Sequence, residues 1–200
     1  MTVEVIVIDN KELFLSICKD NIHRDGLDEL LAWLEKSDFF TAPASTRFHG
    51  NYEGGLLEHS LNVYNCLKSI AEKYSDKDIS YESIAICALF HDICKANFYE
   101  KGSRNVKNPD TGRWEAKEIW NINEKFPIGH GEKSCIILQW FLKEITVQEL
   151  LAIRWHMGGF DSAVKGGDYS MNKAYELSPL AVMLHIADTE ASNLLEETVE

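Results

Sequence analysis

Six side chains that commonly bind metal ions are spaced so that they point into one predicted interior. His59, for example, lies three residues after Leu56 and four before Val63, which places it on the apolar stripe of its predicted helix. The other members fall on the inward faces of four further predicted helices. The full set is His59, His91, Asp92, His130, His156 and Asp188.

The burial of so many polar side chains needs one shared explanation. Moving a neutral polar group into an apolar interior without a hydrogen bond costs ~2–7 kcal/mol, and an unpaired carboxylate costs more. Neutral imidazole and carboxylate are ligands of Zn, Fe, Mn and similar divalent ions. Six ligands are too many for one tetrahedral ion with an open position, but they suit two ions that share a carboxylate.

We therefore predict two divalent metal ions, with Asp92 as the bridging ligand and with Fe, Mn, Ni and Zn all open as identities. The positive charge of two such ions exceeds the negative charge of the two carboxylates, so the site would attract an anionic substrate. Ions ~3.5–4 Å apart can generate a hydroxide nucleophile and stabilise the attacking and leaving oxygens of a phosphate ester. The first ion is assigned His59, His91, Asp92 and Asp188, and the second is assigned Asp92, His130 and His156.

Cationic and imidazole side chains near this set are candidate substrate contacts. Lys95 follows Asp92 by three residues on the same helical face, so we expect it to contact a phosphoryl group and to act with Asp92 in catalysis. His49, in the loop before the first ligand helix, and Arg154 are further candidates for substrate binding. A purely structural role of His49 in its loop, and of Lys95 at a helix end, is also compatible with the sequence.

These residues resemble the metal-binding pattern of the HD-domain superfamily of metal-dependent phosphohydrolases. The adjacent pair His91-Asp92, preceded by His59 and followed by Asp188, matches the family order of ligands. The additional His130 and His156 resemble the subset of the family with a two-metal site. Three segments are also similar to the HD domain of bacterial 3′–5′ exoribonucleases, namely Arg47–Ser60, Gly129–Ser134 and Ile186–Asp188.

The resemblance implies an HD-type hydrolase that cleaves a phosphate ester through a metal-bound hydroxide. The implied substrate is a small anionic phosphorylated molecule, such as a nucleotide or a related phosphomonoester or diester. One departure argues against direct RNA processing, because residues 1–40 are too few for the exoribonucleases' OB-type domain. A second departure bears on the substrate pocket: Gly50 stands where relatives often carry a second His beside His49.

Two other functions are compatible with parts of the same evidence. Some HD-fold proteins, such as inositol oxygenase and phosphonate-cleaving oxygenases, use the same six-ligand set to hold two irons and activate oxygen, so a di-iron oxygenase is the alternative enzyme. A non-catalytic regulatory module is disfavoured because the ligand set is complete.

The elements that must position these residues are nearly all helical, which predicts an all-α bundle. The turn signal Asn108–Gly112 predicts a small β-hairpin insertion around 104–122, and Asp25 is expected to cap the second helix. We expect a single HD-type domain over 1–200, with an N-terminal helical extension 1–40 and a metal-binding core 45–195. Helices are predicted at about 10–20, 27–34, 56–74, 81–95, 131–143, 147–157 and 179–195, with a loop at 158–177.

Composition narrows the remaining function classes. The 200 residues are 45% hydrophobic and carry a formal net charge of −12, from 20 basic and 32 acidic side chains. Such an acidic chain is a poor partner for duplex nucleic acid, and we find neither a secretory signal nor an apolar run long enough for a membrane span. The five cysteines form no C-x-x-C pair, which predicts reduced thiols in a cytoplasmic protein. The oligomeric state is left open.

Overall fold

The computed structural model describes residues 9–199, and within that range the chain is a helical bundle with one β-hairpin, as predicted. The longer helices are α1 (Asn10–Asn21), α2 (Leu27–Lys36), α3 (Gly55–Lys73), α4 (Tyr81–Phe90), α5 (His130–Phe141) and α6 (Val147–Trp155). They are followed by α7 (Ser162–Lys165), α8 (Ser170–Leu177) and α9 (Pro179–Glu190). Short 3₁₀ turns cover Ser75–Lys77, Ile93–Lys95 and Gly158–Phe160, and a π-helical turn covers Ala191–Leu195.

The helix α3 is the centre of the bundle. It packs against both α4 and α9, while α6 packs against both α9 and α5. Every residue of α4 from Ile84 to Phe90 is buried, so this helix has no solvent face over that stretch. Each fully buried aliphatic or aromatic side chain contributes ~1.5–3 kcal/mol, which makes α4 a rigid support for the residues that follow it.

The N-terminal helices belong to the same core. Phe14 of α1 packs on Phe39, Phe40 and Phe90, with ring centroids 5.5–5.7 Å apart. This aromatic cluster joins α1 to the end of α4, where the predicted metal ligands begin. The boundaries proposed for the extension 1–40 and the core 45–195 stay a prediction.

A buried ion pair ties the segment between α1 and α2 to α6. Arg24 donates to both carboxylate oxygens of Glu149, at 2.8 and 2.9 Å, and Glu149 is fully buried. The same carboxylate accepts from the Thr146 backbone amide, which completes the capping box at the start of α6. Arg24 also bonds Glu82, near the start of α4, at 3.2 Å, so one guanidinium links three parts of the bundle.

The predicted cap of α2 at Asp25 is wrong. Gly26 occupies the N-cap position with φ 92°, and no side chain caps this helix. A Cβ at Gly26 would collide with the backbone carbonyl of Phe141, so the close approach of α5 requires glycine there. Asp25 instead accepts a hydrogen bond from the backbone amide of Lys143 through its own carbonyl oxygen.

Three predicted helix limits also need correction. The helix expected to reach residue 95 ends at Phe90, and Asp92 leaves helical geometry with φ −104° and ψ 17° before a 3₁₀ turn. The expected loop 158–177 contains two helices, α7 and α8. The Asp161 side chain caps the first of them by accepting from the Ala163 amide. The last helix starts at Ser178-Pro179 as predicted, but its final turn is π-helical.

The β-hairpin is longer than predicted and projects from the bundle. Strands β1 (Tyr99–Lys107) and β2 (Trp114–Ile122) pair antiparallel from Tyr99 opposite Ile122 to Lys107 opposite Trp114. The Asn108 side chain accepts from the amides of Asp110 and Thr111, which closes the predicted turn.

Within residues 9–199, none of the helices combines the length and hydropathy needed to cross a membrane.

Candidate metal centre

The structure brings the six predicted ligands to one place, chiefly at helix ends. His59 comes from the second turn of α3, and Asp188 comes from the last turn of α9. His91 is the C-cap of α4, His156 is the C-cap of α6, and His130 is the first residue of α5. Helix ends suit ligand positions because the backbone direction changes there and lets several helices point their termini at one centre.

Four of these side chains form a first group around His59. Its Nε2 atom lies 3.1 Å from Nε2 of His91 and 3.3 Å from Oδ1 of Asp188. The Oδ2 atom of Asp92 lies 3.6 Å from both histidine Nε2 atoms. This group coincides with the four residues assigned to the first ion.

The other oxygen of Asp92 faces a second group. Its Oδ1 atom lies 2.6 Å from Nε2 of His130 and 3.5 Å from Nε2 of His156. The rings of these two histidines have centroids 5.2 Å apart. Asp92 therefore divides its two oxygens between two sets of imidazoles, which is the geometry expected of a bridging carboxylate.

Hydrogen bonds behind the rings determine which nitrogens can bind a cation. Nδ1 of His91 lies 2.8 Å from the carbonyl oxygen of Ala88, and Nδ1 of His156 lies 2.7 Å from that of Ile153. A carbonyl only accepts, so Nδ1 carries the proton and Nε2 of each neutral ring has a free lone pair.

These free lone pairs converge without enough donors to satisfy them. Among the described residues, the buried Nε2 atom of His156 has no hydrogen-bond partner. Nε2 of His91 lies 3.1 Å from Nε2 of His59 and 3.6 Å from Oδ2 of Asp92, so its lone pair faces two other candidate ligands. Buried acceptors that meet in this way are stabilised by a cation, so the residues present fit divalent metal ions.

Sequence reasoning missed two residues that contact the candidate ligands from behind. Glu196 accepts from Nδ1 of His59 at 2.9 Å, and Sγ of Cys94 lies 3.3 Å from Nδ1 of His130. Cys94 follows His91 by three residues, a helical spacing that pointed to the same side of the chain. Glu196 follows the π-helical turn after α9, so no regular helical spacing from Asp188 predicts its place.

Comparison with known families decides the classification. The sequence model of the HD-domain family matches residues 56–192, which contain all six candidate ligands. This chain belongs to the HD-domain family. The match ends before Glu196, so that residue lies outside the part of the chain that the family model describes.

One curated relative of this HD domain is a dihydroneopterin 2′,3′-cyclic phosphate phosphodiesterase from Methanocaldococcus jannaschii. The two sequences are 29% identical over 85 residues, which cover 41% of this chain and 31% of the relative. The comparison with solved structures gives no significant match. The likeness to bacterial exoribonucleases is not supported by these comparisons and stays a resemblance of sequence segments.

The two aspartates among the candidate ligands of this HD domain are held in their charged form. Burial opposes ionisation of Asp92, but Lys95, His91 and His130 together hold its pKa well below the usual range. Burial likewise opposes ionisation of Asp188, and its hydrogen bond with His59 lowers its pKa despite that. Charged carboxylates are the form that binds divalent cations.

The pKa values of the histidines His59, His91 and His130 differ because their neighbours differ. Burial lowers the pKa of His91 to about 3, so this ring stays neutral and able to donate its lone pair. Burial also disfavours charge on His59 and His130, but neighbouring groups outweigh it. Hydrogen bonds with Asp188 and Glu196 raise the pKa of His59 to about 9, and Cys94 and Asp92 raise that of His130 to about 10. A proton on these two rings balances negative charge that a metal ion would otherwise balance.

The predicted substrate contacts lie in different surroundings. Lys95 is largely buried and its ammonium is 2.6 Å from Oδ2 of Asp92, directly beside the candidate ligands. His49 stands next to His59, with ring centroids 4.9 Å apart. The guanidinium of Arg154 is instead paired with Glu132 and Asp161, at 2.6 and 2.8 Å. The substrate-binding roles of all three residues stay predictions.

A cleft of about 340 Å³ opens beside the second group of candidate ligands. His130 lies on its wall, and its side chain, at 28% exposed, is the most accessible of the six candidate ligands. Lys133, three residues further along α5, also lines the cleft, and its ammonium bonds Glu124 at 2.7 Å and sits 4.5 Å from the centroid of the Phe98 ring. The cleft is lined by Cys94, Phe98, Glu124, Pro127, Gly129, His130 and Lys133.

Proposed function

We propose that this HD domain is a metal-dependent phosphohydrolase that acts on a phosphate ester, with a nucleotide or a related phosphomonoester or diester as the substrate class. The observation that carries the proposal is the division of the Asp92 oxygens between two groups of histidines. That geometry supports two divalent ions bound side by side. The ions would be held by His59, His91, Asp92 and Asp188 on one side, and by Asp92, His130 and His156 on the other.

Two bound ions supply Lewis acidity and lower the pKa of coordinated water, the chemistry that phosphate-ester hydrolysis requires. Asp92 keeps its charge because Lys95 and the neighbouring imidazoles stabilise it. Lys95 places a buried ammonium at the same carboxylate, where it can donate to a phosphoryl oxygen of a bound substrate. His130 connects this region to the cleft, so the cleft would receive the organic part of the ester.

The name of the curated relative supports a cyclic phosphodiester as the first substrate to test. That relative is named as a phosphodiesterase of a 2′,3′-cyclic phosphate, and this chain matches 31% of its length. A cleft of about 340 Å³ has room for a small organic group rather than for a folded macromolecule. We therefore propose 2′,3′-cyclic nucleoside monophosphates as probes, together with simple aryl phosphomonoesters and diesters.

The test combines metal analysis with hydrolysis assays on the protein and on His130→Ala. We expect two ions per chain in the protein, about one in the variant, and release of phosphate or ring-opened ester only by the protein. The matched control is His23→Ala, because His23 is exposed and outside the ligand set. One ion in both proteins would contradict the two-ion site, and the absence of any bound metal after reconstitution would overturn the proposal.

The same experiment separates hydrolase from oxygenase. Manganese, nickel or zinc with phosphate-ester turnover supports the hydrolase. Iron as the dominant metal, with oxygen consumption and no hydrolysis of any phosphate ester, would replace it by the di-iron oxygenase.

A further inference from the structure

The carboxylate of Glu196 joins two histidines at the edge of the candidate metal centre. Its Oε1 atom accepts from Nδ1 of His59 at 2.9 Å, and its Oε2 atom accepts from Nδ1 of His49 at 2.7 Å. The Asn62 side-chain amide donates to Oε1 at 3.2 Å. Three donors, one from the loop before α3 and two from α3 itself, therefore meet on one carboxylate that is 1% exposed.

We propose that Glu196 is a positioning residue that holds His59 in the tautomer able to bind a metal ion and locks His49 beside it. The proposal rests on the proposed metal centre, but it concerns metal affinity and not the identity of the substrate. An ionised carboxylate only accepts, so Nδ1 of His59 must carry a proton. When a metal ion replaces the second proton of the ring, the lone pair is therefore on Nε2, the nitrogen that faces His91 and Asp188.

The backbone around Glu196 is held in the same place. The Gly50 amide donates to the carbonyl oxygen of Glu197 at 3.1 Å. Asn51 makes a reciprocal pair with Val199, donating to its carbonyl oxygen at 2.8 Å and accepting from its amide at 2.7 Å. Residues 196–199 thus form a strap across the loop that carries His49. The strap supports the carboxylate, which accepts the hydrogen bond from Nδ1 of His59.

The isosteric variant Glu196→Gln tests the charge and acceptor pattern without removing volume. A glutamine has one acceptor oxygen and one NH₂ group, so it cannot accept from His49, His59 and Asn62 together. If its NH₂ group faces His59, the ring must accept at Nδ1 and carry its proton on Nε2. That tautomer cannot donate Nε2 to a metal ion, and a loss of such an outer partner typically weakens metal binding ~10–100-fold.

The matched control is Asn51→Ala, which releases the strap but leaves the Glu196 carboxylate in the chain. Zinc and manganese affinities are measured by competition with a chromophoric chelator, and circular dichroism verifies that each variant is folded. We expect a ~10–100-fold weaker metal affinity in Glu196→Gln and less than a threefold change in Asn51→Ala. Equal affinity in Glu196→Gln and in the unmodified protein, or equal losses in both variants, would overturn the proposal.

A second measurement needs no variant. The ring ¹⁵N chemical shifts of His59 in the zinc-loaded protein report which nitrogen carries the proton. We expect a protonated Nδ1 and a metal-bound Nε2, whereas a protonated Nε2 would refute the role of Glu196 even if the variant failed to fold. A protein that binds zinc as expected but hydrolyses no phosphate ester would refute the proposed function and leave this inference standing.

Discussion

His91 and His156 are held by the same local arrangement at the ends of two different helices. Each ring donates Nδ1–H to the carbonyl oxygen three residues before it, and the two ring centroids lie 4.9 Å apart. The last carbonyls of a helix have no partner within the helix, so a C-terminal histidine can use one of them. The arrangement orients two Nε2 lone pairs toward Asp92 and commits both rings to a metal-binding tautomer.

Metal removal is expected to destabilise the fold because it leaves these two lone pairs buried without a metal ion. At a free metal concentration one hundred times Kd, bound metal contributes about 2.7 kcal/mol. For a chain of this size that corresponds to a fall in Tm of about 5–10 °C on chelation. Thermal unfolding with and without EDTA measures the difference. It should shrink in His156→Ala and persist in the control His23→Ala, and coincident melting curves of the unmodified protein would contradict the expectation.

Lys95→Ala is expected to impair catalysis without loss of metal. The ammonium of Lys95 is a donor and not a metal ligand, so the variant keeps all six candidate ligands. Loss of a donor to a developing anion typically lowers the catalytic rate ~10²–10³-fold. Lys101→Ala is the control, since Lys101 is an exposed cation that pairs with Glu53 on the surface. An unchanged kcat/KM in Lys95→Ala would show that its ammonium serves only to balance Asp92.

Glu149→Ala is expected to destabilise the bundle far more than Glu82→Ala. Both carboxylates bond Arg24, but the Glu149 side chain is fully buried and the Glu82 side chain is 27% exposed. Removing one partner of a buried pair leaves an uncompensated charge and costs about 3–5 kcal/mol, while a solvent-exposed pair contributes about 0–1 kcal/mol. Urea unfolding monitored by circular dichroism measures both values, and similar losses in the two variants would disprove the ranking.

Asp161 is expected to make stability depend on pH. Burial opposes its ionisation, but the hydrogen bond from Arg154 lowers the pKa of Asp161 below its usual value. A carboxyl group with a lowered folded-state pKa stabilises the protein above its unfolded-state pKa, about 3.9, and loses that contribution as the pH falls through the folded-state pKa.

The variant Asp161→Asn isolates this effect, because asparagine keeps the cap of α7 and removes the charge. The free energy of unfolding of the metal-free variant should lie about 1.5–3 kcal/mol below that of the metal-free protein at pH 7. The difference between the two free energies of unfolding should decrease below pH ~4, where Asp161 becomes protonated in the unfolded chain. Denaturant titrations from pH 7 to pH 3 measure this difference. A difference that stays constant over this range would exclude the charge of Asp161 as its cause.

Helical periodicity predicted most of the secondary structure but not where α4 and α9 stop. The periodicity predicts that Asp92 lies in a helix that continues to residue 95, yet the helix ends at Phe90 and a 3₁₀ turn follows. The apolar pattern continues through Ile93 and Cys94, which remain buried, so the sequence alone carries no signal of the change. Asp25 shows a similar limit, because the approach of Phe141 decides that Gly26 begins α2.

The sequence by itself determined which side chains point inward, since the spacing of His59 and Asp188 among apolar residues follows the local 3.6-residue period. Only the tertiary structure decided how the two oxygens of Asp92 are divided and that Glu196 stands behind His59. Periodicity is a property of one helix. The division of the oxygens depends on how the chain leaves α4, and the contact with Glu196 depends on a π-helical turn meeting a distant loop.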